Sequence, residues 1–553
     1  MIKDHEMLIE HQYLNLPVKN GAPLRKIRFR VNDQVVRIFD IELAQGEPDF
    51  WVFSDVSSFK GEKLMIEVDG PNVDLIIVQS DTIEGGENLY REKHRPQFHF
   101  TSRRGWHNDP NGLVYYQGTY HLFYQHNPYG WRWGNMHWGH AVSTNLVRWQ
   151  ELGDVLYPDD MGAMYSGSAV VDWDNTAGLK RGDNDTLVCF YTAAGEWAEP
   201  SVPYTQCMAF SNDAGQTWHK YAGNPVLPHI AAANRDPKVI WHKDSEQWIM
   251  ALYLTKSSEE QHRFALYASR DLKQWDHLQD IHFPGSGECP DFFPLPLDND
   301  PENNKWVFWV ADGHYLVGMF NGSTFAPETP FLQTTYCGNN MPGTAYAAQT
   351  WSDVPPQDGR CIQIAWLVGD LPGMPFNQQM AFPVELTLNT TDDGPRLHFW
   401  PVREIENLVQ KQQTLGNIEL GQNPFVLPTG GHDAPSEWPF LRDCLLDIQA
   451  AIDVGDADEI ELNLRGIRLF YHAAEQKLFC RDRSAPLEPI EGKIHLRVLL
   501  DRASIEIFAA DGLVYLPISV IPDDDNHTCF LQAKGGACHV DTITICTLDS
   551  SWE

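Results

Sequence analysis

The sequence is poor in positive charge and in long apolar runs, and each shortage excludes a class of function. Its 553 residues include 41 basic side chains against 75 acidic ones, a formal net charge of −34. Such a surface repels phosphate backbones and anionic headgroups, so we expect no nucleic acid and no membrane as partners. Residues 1–6 (MIKDHE) do not begin an export signal. We therefore expect a cytoplasmic protein if the chain is complete, and a secreted or periplasmic one if a signal has been removed.

Paired cysteines and helical periodicity are also scarce. The ten cysteines stand singly, with neither a CxxC pair nor a zinc-like spacing, so we expect mostly free thiols. One short helical stretch, residues 401–408, is interpreted as a link to the last domain. Aromatic residues are abundant at 12%, with 19 Trp. This composition is typical of all-β proteins with flat apolar surfaces on which sugar rings stack.

Alternation of apolar and polar residues predicts short β-strands at both ends of the chain. Residues 26–31 (KIRFRV) and 35–41 (VVRIFDI) flank a polar turn and indicate a small β-sandwich-like accessory domain over 1–92. Residues 459–464 (EIELNL) and 504–508 (SIEIF) alternate in the same way. We therefore predict a linker and a C-terminal β-sandwich over 401–553.

A repeat predicts the architecture of residues 93–400. A serine, a polar turn and a tryptophan recur, and the copies are 143–149 (STNLVRW), 211–218 (SNDAGQTW), 269–275 (SRDLKQW) and a degenerate 321–325 (NGSTF). A strand–turn–strand unit precedes each copy, and a fifth unit pairs 346–351 with 361–366. Five such units, spaced by roughly 60 to 70 residues, predict a five-bladed β-propeller that forms the catalytic domain.

The repeat also predicts which polar residues meet. In a propeller the first strand of each blade lines the central channel, so the residues that precede these strands converge at one mouth. The segments in question are 106–112 (WHNDPNG), 165–168 (YSGS), 234–237 (NRDP), 288–291 (ECPD) and 343–346 (GTAY). Three of them supply carboxylates: Asp109, Asp236 and Glu288. Glycoside cleavage needs one carboxylic acid to protonate the leaving oxygen and one carboxylate as nucleophile or base.

Each acid taken alone also suits a structural role. The Asp-Pro-Asn-Gly sequence is a good turn, and Arg235 with Asp236 fits an internal ion pair. Their equivalent positions in a repeat favour catalysis.

Three of these motifs resemble, in order, the signature motifs of glycoside hydrolase family 32, the invertases, inulinases and levanases. They are residues 106–112, 235–237 (RDP) and 288–289 (EC). Further similar segments are 133–140 (WGNMHWGH), 165–169 (YSGSA) and 500–508 (LDRASIEIF), the last in the family's C-terminal sandwich. The resemblance runs from about residue 95 to the end and leaves residues 1–90 outside the family core.

The resemblance implies roles for the acids and a set of contacts. Asp109 would form a fructosyl-enzyme, Glu288 would be the acid/base, and Asp236 would stabilise the transition state. The implied substrate-binding residues are Asn108, Gln125, Trp133, Ser166, Arg235, Cys289, Tyr346 and Trp366. No cofactor and no metal is implied. The histidines His107, His126, His137 and His140 also fit a metal site, but packed or sugar-contacting roles are favoured.

The chain departs from the family pattern at two places. His107 stands where the family usually has an apolar residue. Residues 339–345 (NNMPGTA) differ from the usual forms at a position that contacts the leaving group.

Several functions are compatible with these residues. The segment 133–140 is most similar to exo-acting fructan hydrolases, so we expect release of terminal fructose from levan or inulin, with sucrose as a further candidate substrate. An invertase or a fructosyltransferase is the alternative within the family, because transfer and hydrolysis share the covalent intermediate. A sialidase would need clustered arginines, of which only Arg235 stands at an inner position. The presence of all three acids argues against a non-catalytic carbohydrate-binding propeller.

Overall fold

The computed structural model describes residues 2–70, 76–256, 261–284, 287–336, 343–427, 445–523, 525–526 and 528–552. Regular structure in these ranges is almost all β-strand, which confirms the predicted all-β class. The helical segments there are short 3-10 turns: Ser57–Phe59, Gly86–Asn88, Gly195–Trp197, Lys243–Ser245, Arg403–Leu408 and Ala510–Gly512. In the described residues, no helix has the length and apolar character needed to cross a membrane.

The first part of the chain forms two small antiparallel sheets, which we call the N-terminal unit (residues 2–80). Its strands are β1 (Ile2–Leu8), β2 (Tyr13–Val18), β3 (Arg25–Val31), β4 (Gln34–Ile41), β5 (Phe50–Asp55), β6 (Lys63–Asp69) and β7 (Val78–Ser80). One sheet has the order β1-β6-β3-β4 and the other β5-β2-β7. Ile27, Phe29 and Val31 alternate with more exposed residues along β3, so one face of the strand lies in the core of the unit.

Five sheets follow and close into a ring. In chain order their strands are β8 (Gly105–Tyr116), β9 (Thr119–Asn127), β10 (His137–Ser143), β11 (Gln150–Leu156); β12 (Ala163–Asp172), β13 (Thr186–Ala194), β14 (Thr205–Ser211), β15 (His219–Lys220); β16 (Arg235–His242), β17 (Gln247–Lys256), β18 (Gln261–Ser269), β19 (Asp276–Pro284); β20 (Asp291–Pro296), β21 (Asn304–Trp309), β22 (His314–Phe320), β23 (Phe325–Pro327), β24 (Leu332–Gln333); and β25 (Ala345–Thr350), β26 (Cys361–Leu367), β28 (Gln379–Met380), β29 (Val384–Thr391), β30 (Gly394–Pro401). The short strand β27 (Phe376–Asn377) returns to the first sheet and pairs with β8 in parallel. The first strand of each blade contacts the first strand of the next: β8 contacts β12, β12 contacts β16, β16 contacts β20, and β20 contacts β25. The ring closes because β25 contacts β8. This ring is the predicted five-bladed propeller.

The repeated tryptophan motif is the turn between the third and fourth strands of three blades. In each copy the indole N–H donates to the carbonyl oxygen three residues earlier: Trp149 to Leu146, Trp218 to Gly215 and Trp275 to Leu272. The first serine of each copy accepts the N–H of the residue two positions later. The motif therefore recurs because it satisfies the polar groups of a tight outer turn.

The last part of the chain forms two six-stranded sheets that pack as a sandwich. Its strands are β31 (Val409–Leu420), β32 (Phe425–Val426), β33 (Leu446–Asp453), β34 (Glu459–Leu464), β35 (Ile467–His472), β36 (Lys477–Cys480), β37 (Arg483–Pro486), β38 (Lys493–Leu500), β39 (Ser504–Ala509), β40 (Val514–Ser519), β41 (Cys529–Lys534) and β42 (Cys538–Leu548). The sheet orders are β31-β42-β33-β38-β39-β40 and β32-β41-β34-β35-β36-β37. The predicted domain limits stay a prediction. No strand of these sheets lies in residues 81–104 or 402–408, so the strands do not fix where one domain ends and the next begins.

A buried ion cluster joins the propeller to the sandwich. His99 Nδ1 lies 2.8 Å from Asp501 Oδ2, and His99 Nε2 lies 3.0 Å from Glu506 Oε1. Burial disfavours the imidazolium, but hydrogen bonds to the two carboxylates outweigh it and raise the pKa of His99 to about 9. Both carboxylates belong to the motif at 500–508, so this motif has a structural task at the interface.

Candidate active site

The ring of first strands brings the predicted residues to one cavity of about 410 Å³, at the end where these strands begin. Every predicted site residue lines it: Asn108, Asp109, Gln125, Trp133, Ser166, Arg235, Asp236, Glu288, Cys289, Tyr346 and Trp366. Tyr165, Glu196, Tyr204 and Ala233 also line the cavity and were not among the residues predicted to bind substrate.

Irregular backbone aims these side chains into the cavity. The antiparallel register shifts in β8 between His107 and Pro110, in β12 at Ser166, in β16 between Arg235 and Lys238, and in β25 after Tyr346. Asp236, Glu288 and Cys289 have φ of 64°, 74° and 39°. Bulges re-aim side chains beside active sites, and left-handed non-glycine residues persist where the surroundings hold them. The residues at the start of the first strands thus depart from regular strand pairing, and this turns their side chains into the cavity.

Asp109 is held on both carboxylate oxygens. Asn108 Nδ2 donates to Oδ1 at 2.9 Å, and Ser166 Oγ donates to Oδ2 at 2.6 Å. Asn108 is in turn fixed by the Trp106 indole N–H, which donates to its Oδ1 at 3.0 Å. Burial raises the pKa of Asp109, while the hydrogen bonds from Ser166 and Asn108 oppose this shift. The donors fix the orientation of one carboxylate in the cavity.

Asp236 and Asp109 are bridged by Cys289. The Cys289 N–H donates to Asp236 Oδ2 at 3.0 Å, and its Sγ lies 3.7 Å from Asp236 Oδ2 and 3.6 Å from Asp109 Oδ2. Burial first, and then the neighbouring acids, raise the pKa of this thiol well above its usual value, so Cys289 stays a neutral donor. Burial also raises the pKa of Asp236 to about 7; the Arg235 guanidinium opposes the shift, and the negative charges of Glu288 and Asp109 add to it. The site therefore keeps a proton near neutral pH.

The Glu288 side chain is 36% exposed, against 7% for Asp236. Arg235 Nη2 donates to Oε1 at 2.5 Å, and the Tyr346 hydroxyl donates to Oε2 at 2.7 Å. Arg235 also lies 3.7 Å from Asp236 Oδ2, and its guanidinium sits 4.6 Å from the centre of the Tyr253 ring. One guanidinium thus lies against two of the three acids.

Other cavity residues fix the walls. Gln125 Nε2 donates to the Met164 carbonyl at 2.9 Å. Trp366 is buried, with its N–H donated to Gln378 Oε1 at 3.0 Å, and its ring lies edge-on to those of Trp106 and Tyr346. The structure places Trp366 among the lining residues of the cavity.

A second wall includes three of the residues that sequence reasoning missed. Glu196 Oε1 accepts from the hydroxyls of Tyr204 and Tyr165. Trp133, 44% exposed, lies edge-on to Tyr165 with ring centres 6.0 Å apart. Glu196 and Tyr204 lie between β13 and β14, outside the repeat, so no periodic signal marks them. Tyr165 does begin the predicted segment 165–168 and was available to the same argument as Ser166.

The four histidines considered as metal ligands make separate contacts. His126 Nδ1 bonds Asp154, His137 Nδ1 contacts the Asn135 carbonyl, and His140 Nε2 lies 3.0 Å from His121 Nδ1. Across the described ranges, no three His, Cys, Asp or Glu side chains form a group able to hold a metal ion.

Of the two departures from the family pattern, the structure describes His107 fully and residues 339–345 only in part. His107 is buried against Phe100 and Tyr124 and does not line the cavity. Burial lowers the pKa of His107 well below its usual value, so the ring is neutral and packs in place of an apolar side chain. Of the segment 339–345, residues 339–342 lie outside the described residues.

Two family models match nearly all of the chain beyond the N-terminal unit. Residues 99–401 match the model described as "Glycosyl hydrolases family 32 N-terminal domain", and residues 404–547 match "Glycosyl hydrolases family 32 C terminal".

Named relatives and a solved structure agree with this match. The chain is 36% identical over 511 residues to a levanase of Bacillus subtilis, covering 84% of this chain and 72% of the levanase. It is 30% identical over 530 residues to an extracellular exo-inulinase of Aspergillus ficuum, covering 84% and 96%. The crystal structure of an exo-inulinase from Aspergillus awamori superposes with a TM-score of 0.72 at 27% identity, covering 84% of this chain and all of that one.

Proposed function

Because this chain belongs to glycoside hydrolase family 32, we propose that it is a retaining β-fructosidase that releases terminal fructose from fructans. Its levanase and exo-inulinase relatives support levan and inulin as substrates, and sucrose is the smaller candidate substrate. The observation that carries the proposal is the convergence of Asp109, Asp236 and Glu288, from three different blades, in one cavity.

In the first step Asp109 is the nucleophile and Glu288 the acid. An Asp109 oxygen forms a bond to the anomeric carbon of the terminal fructose, while the bond to the leaving oxygen breaks and Glu288 gives that oxygen its proton. The donors on both oxygens of Asp109 hold it in place for attack. Tyr346 and Arg235, which both bond Glu288, position the acid/base.

In the second step water replaces the leaving group. Glu288, now ionised, takes a proton from water, whose oxygen attacks the anomeric carbon and releases Asp109. Asp236 accepts hydrogen bonds from the ring hydroxyls and stabilises the positive charge that develops on the sugar. Because three acids lie close together and one guanidinium contacts only two of them, like-charge repulsion favours a state in which one acid keeps a proton.

Separate incubation with sucrose, inulin and levan, with chromatography of the products, tests the proposal. Free fructose should form from each substrate that the protein accepts, and an Asp109→Ala variant should form none. Products longer than the substrate would indicate that a sugar hydroxyl outcompetes water, which is fructosyl transfer. No product from any of the three would refute the proposed function.

A further inference from the structure

Two exposed indoles lie next to each other at the edge of the cavity, with their ring planes 60° apart. Trp133 lines the cavity, and Trp197 lies beside it, 48% exposed, with ring centres 5.7 Å apart. The Trp197 N–H donates to the Tyr165 hydroxyl at 2.9 Å, which fixes its ring. Trp197 also lines a groove shared with Val36 and Arg28 of the N-terminal unit. The pair of indoles thus extends from the cavity towards that unit.

The segment that carries Trp133 is anchored in the core of the N-terminal unit. Tyr129, four residues earlier, is 1% exposed and belongs to that hydrophobic core. Its ring stacks on Phe39 with centres 3.6 Å apart and planes 14° apart, and its hydroxyl donates to Ser54 Oγ at 3.2 Å. A propeller side chain therefore completes the core of a unit outside the propeller.

The same segment is fixed again two residues after Trp133. Asn135 Oδ1 accepts the backbone N–H of Asp40 at 2.8 Å, and Asn135 Nδ2 donates to the Asp40 carbonyl at 2.7 Å. The side chain thereby continues the edge of strand β4 as a further strand would. Trp133 stands between two anchors that the N-terminal unit supplies.

The segment that carries Trp197 is held by charge. Glu199, two residues later, accepts from Lys26 Nζ and from Arg28 Nη2, the latter at 3.1 Å. Both cations lie on β3 of the N-terminal unit. Their hydrogen bonds, with Lys26 first, lower the pKa of Glu199. We call this three-residue contact the clamp.

We propose that the N-terminal unit builds an outer sugar-binding site, in which Trp133 and Trp197 form a platform for the sugar units that follow the terminal fructose. Flat apolar rings bind the apolar faces of sugars, and large exposed aromatic side chains at a cavity edge are typical of binding surfaces. Pre-organised side chains bind more tightly because less conformational entropy is lost. This proposal rests on the proposed function and assigns the unit, residues 2–80, a role in selecting chains over sucrose.

Breaking the clamp tests the positioning role. The Glu199→Arg variant places three cations together, and we expect the ratio of kcat/KM on inulin to kcat/KM on sucrose to fall about fivefold, the scale of a surface ion pair. Adding Lys26→Glu to Glu199→Arg restores one pair of opposite charges and keeps the Arg28–Asp69 pair, so it should restore most of the ratio. The matched control is Lys63→Ala, which breaks the exposed Lys63–Glu6 pair within the same unit and should leave the ratio unchanged.

Substitution of Trp197 tests the platform directly. Trp197→Ala removes one stacking face, and we expect the same ratio to fall about tenfold. Trp197→Phe keeps a ring and should retain most of the preference. Equal losses on both substrates, or an unchanged ratio in Trp197→Ala and Glu199→Arg, would overturn the proposal.

Binding separates this proposal from the proposed function. Affinity for an inulin-type oligosaccharide is measured by tryptophan fluorescence in Glu288→Gln and in Glu288→Gln with Trp197→Ala. A wild-type protein that hydrolyses none of the substrates would refute the proposed function, whereas equal oligosaccharide affinities in these two variants would refute the platform alone.

Discussion

Replacement of Asp236 by Asn should stabilise the protein while it removes activity. Burial holds the pKa of Asp236 at about 7, against 3.8 for an ordinary Asp. This difference corresponds to a destabilisation of about 4 kcal/mol when the group is ionised, at about 1.36 kcal/mol per pKa unit. Asn avoids this cost, accepts the Cys289 N–H through its carbonyl oxygen, and tolerates the left-handed backbone with φ of 64°.

The pH dependence of this effect follows from linkage. Because the folded pKa lies above the unfolded value, the folded state binds the extra proton between about pH 4 and pH 7. The cost is absent below about pH 4, grows as the pH rises to about 7, and is constant above it. The melting temperature of Asp236→Asn should therefore equal that of the wild type at pH 4 and exceed it by about 5 °C at pH 8.

Activity and a matched control complete the experiment. Loss of transition-state stabilisation should lower kcat on sucrose by about 10²–10³-fold. The control is Asp353→Asn, a half-buried acid whose pKa is raised to about 6 but whose two oxygens both accept, from Val171 N–H and from the Trp173 indole. An amide there leaves two donors facing each other, so stability should not rise and activity should persist. If the melting temperatures of Asp236→Asn and the wild type differ by the same amount at pH 4 and at pH 8, the reasoning is refuted.

Four further outcomes are expected. Asp109→Ala and Glu288→Ala should each lower kcat by more than about 100-fold while circular dichroism shows an intact fold, and a variant that retains a tenth of the activity would contradict the assignment. Early NMR spectra of sucrose hydrolysis should show β-fructose, because two inversions restore the configuration, and α-fructose would indicate a single displacement. Chromatography of a levan digest should show fructose from the start, and short oligosaccharides that precede it would rule out exo action. His99 has a folded pKa of about 9, above its usual 6.5, so it contributes about 3 kcal/mol of stability below pH 6.5 that is lost as the pH rises through 9. Calorimetry should therefore show the melting temperatures of the wild type and His99→Gln converging by pH 10. A difference in melting temperature that stays constant with pH would contradict this.

The repeat made the centre of the site predictable. Asp109, Asp236 and Tyr346 stand at equivalent places because the first strands of the blades must meet in the ring, and this follows from strand order alone. The fold class was predictable for the same reason, since alternation and turn residues mark nearly every strand.

The outer wall was not predictable in this way. Glu196 and Tyr204 reach the cavity through the connection between β13 and β14, in which Glu199 pairs with Lys26 and Arg28 about 170 residues earlier. The anchors of Trp133 are of the same kind, because Phe39 and Tyr129 are 90 positions apart and share no pattern. Trp366 itself was predicted to line the site, but its hydrogen-bond partner Gln378 was not, because the strand pattern does not indicate it.

The cluster around His99 has a consequence for synthesis on the ribosome. The backbone N–H groups of Gln97 and Phe98 donate to Asp501, about 400 residues later in the chain. Until that carboxylate leaves the ribosomal tunnel, the segment that precedes the first blade has buried polar groups without acceptors. At about 5–20 residues per second, residues 97–98 wait about 20–80 seconds for this partner. A chain cut short within the sandwich should therefore be a substrate for chaperones and proteases even though every blade has been made.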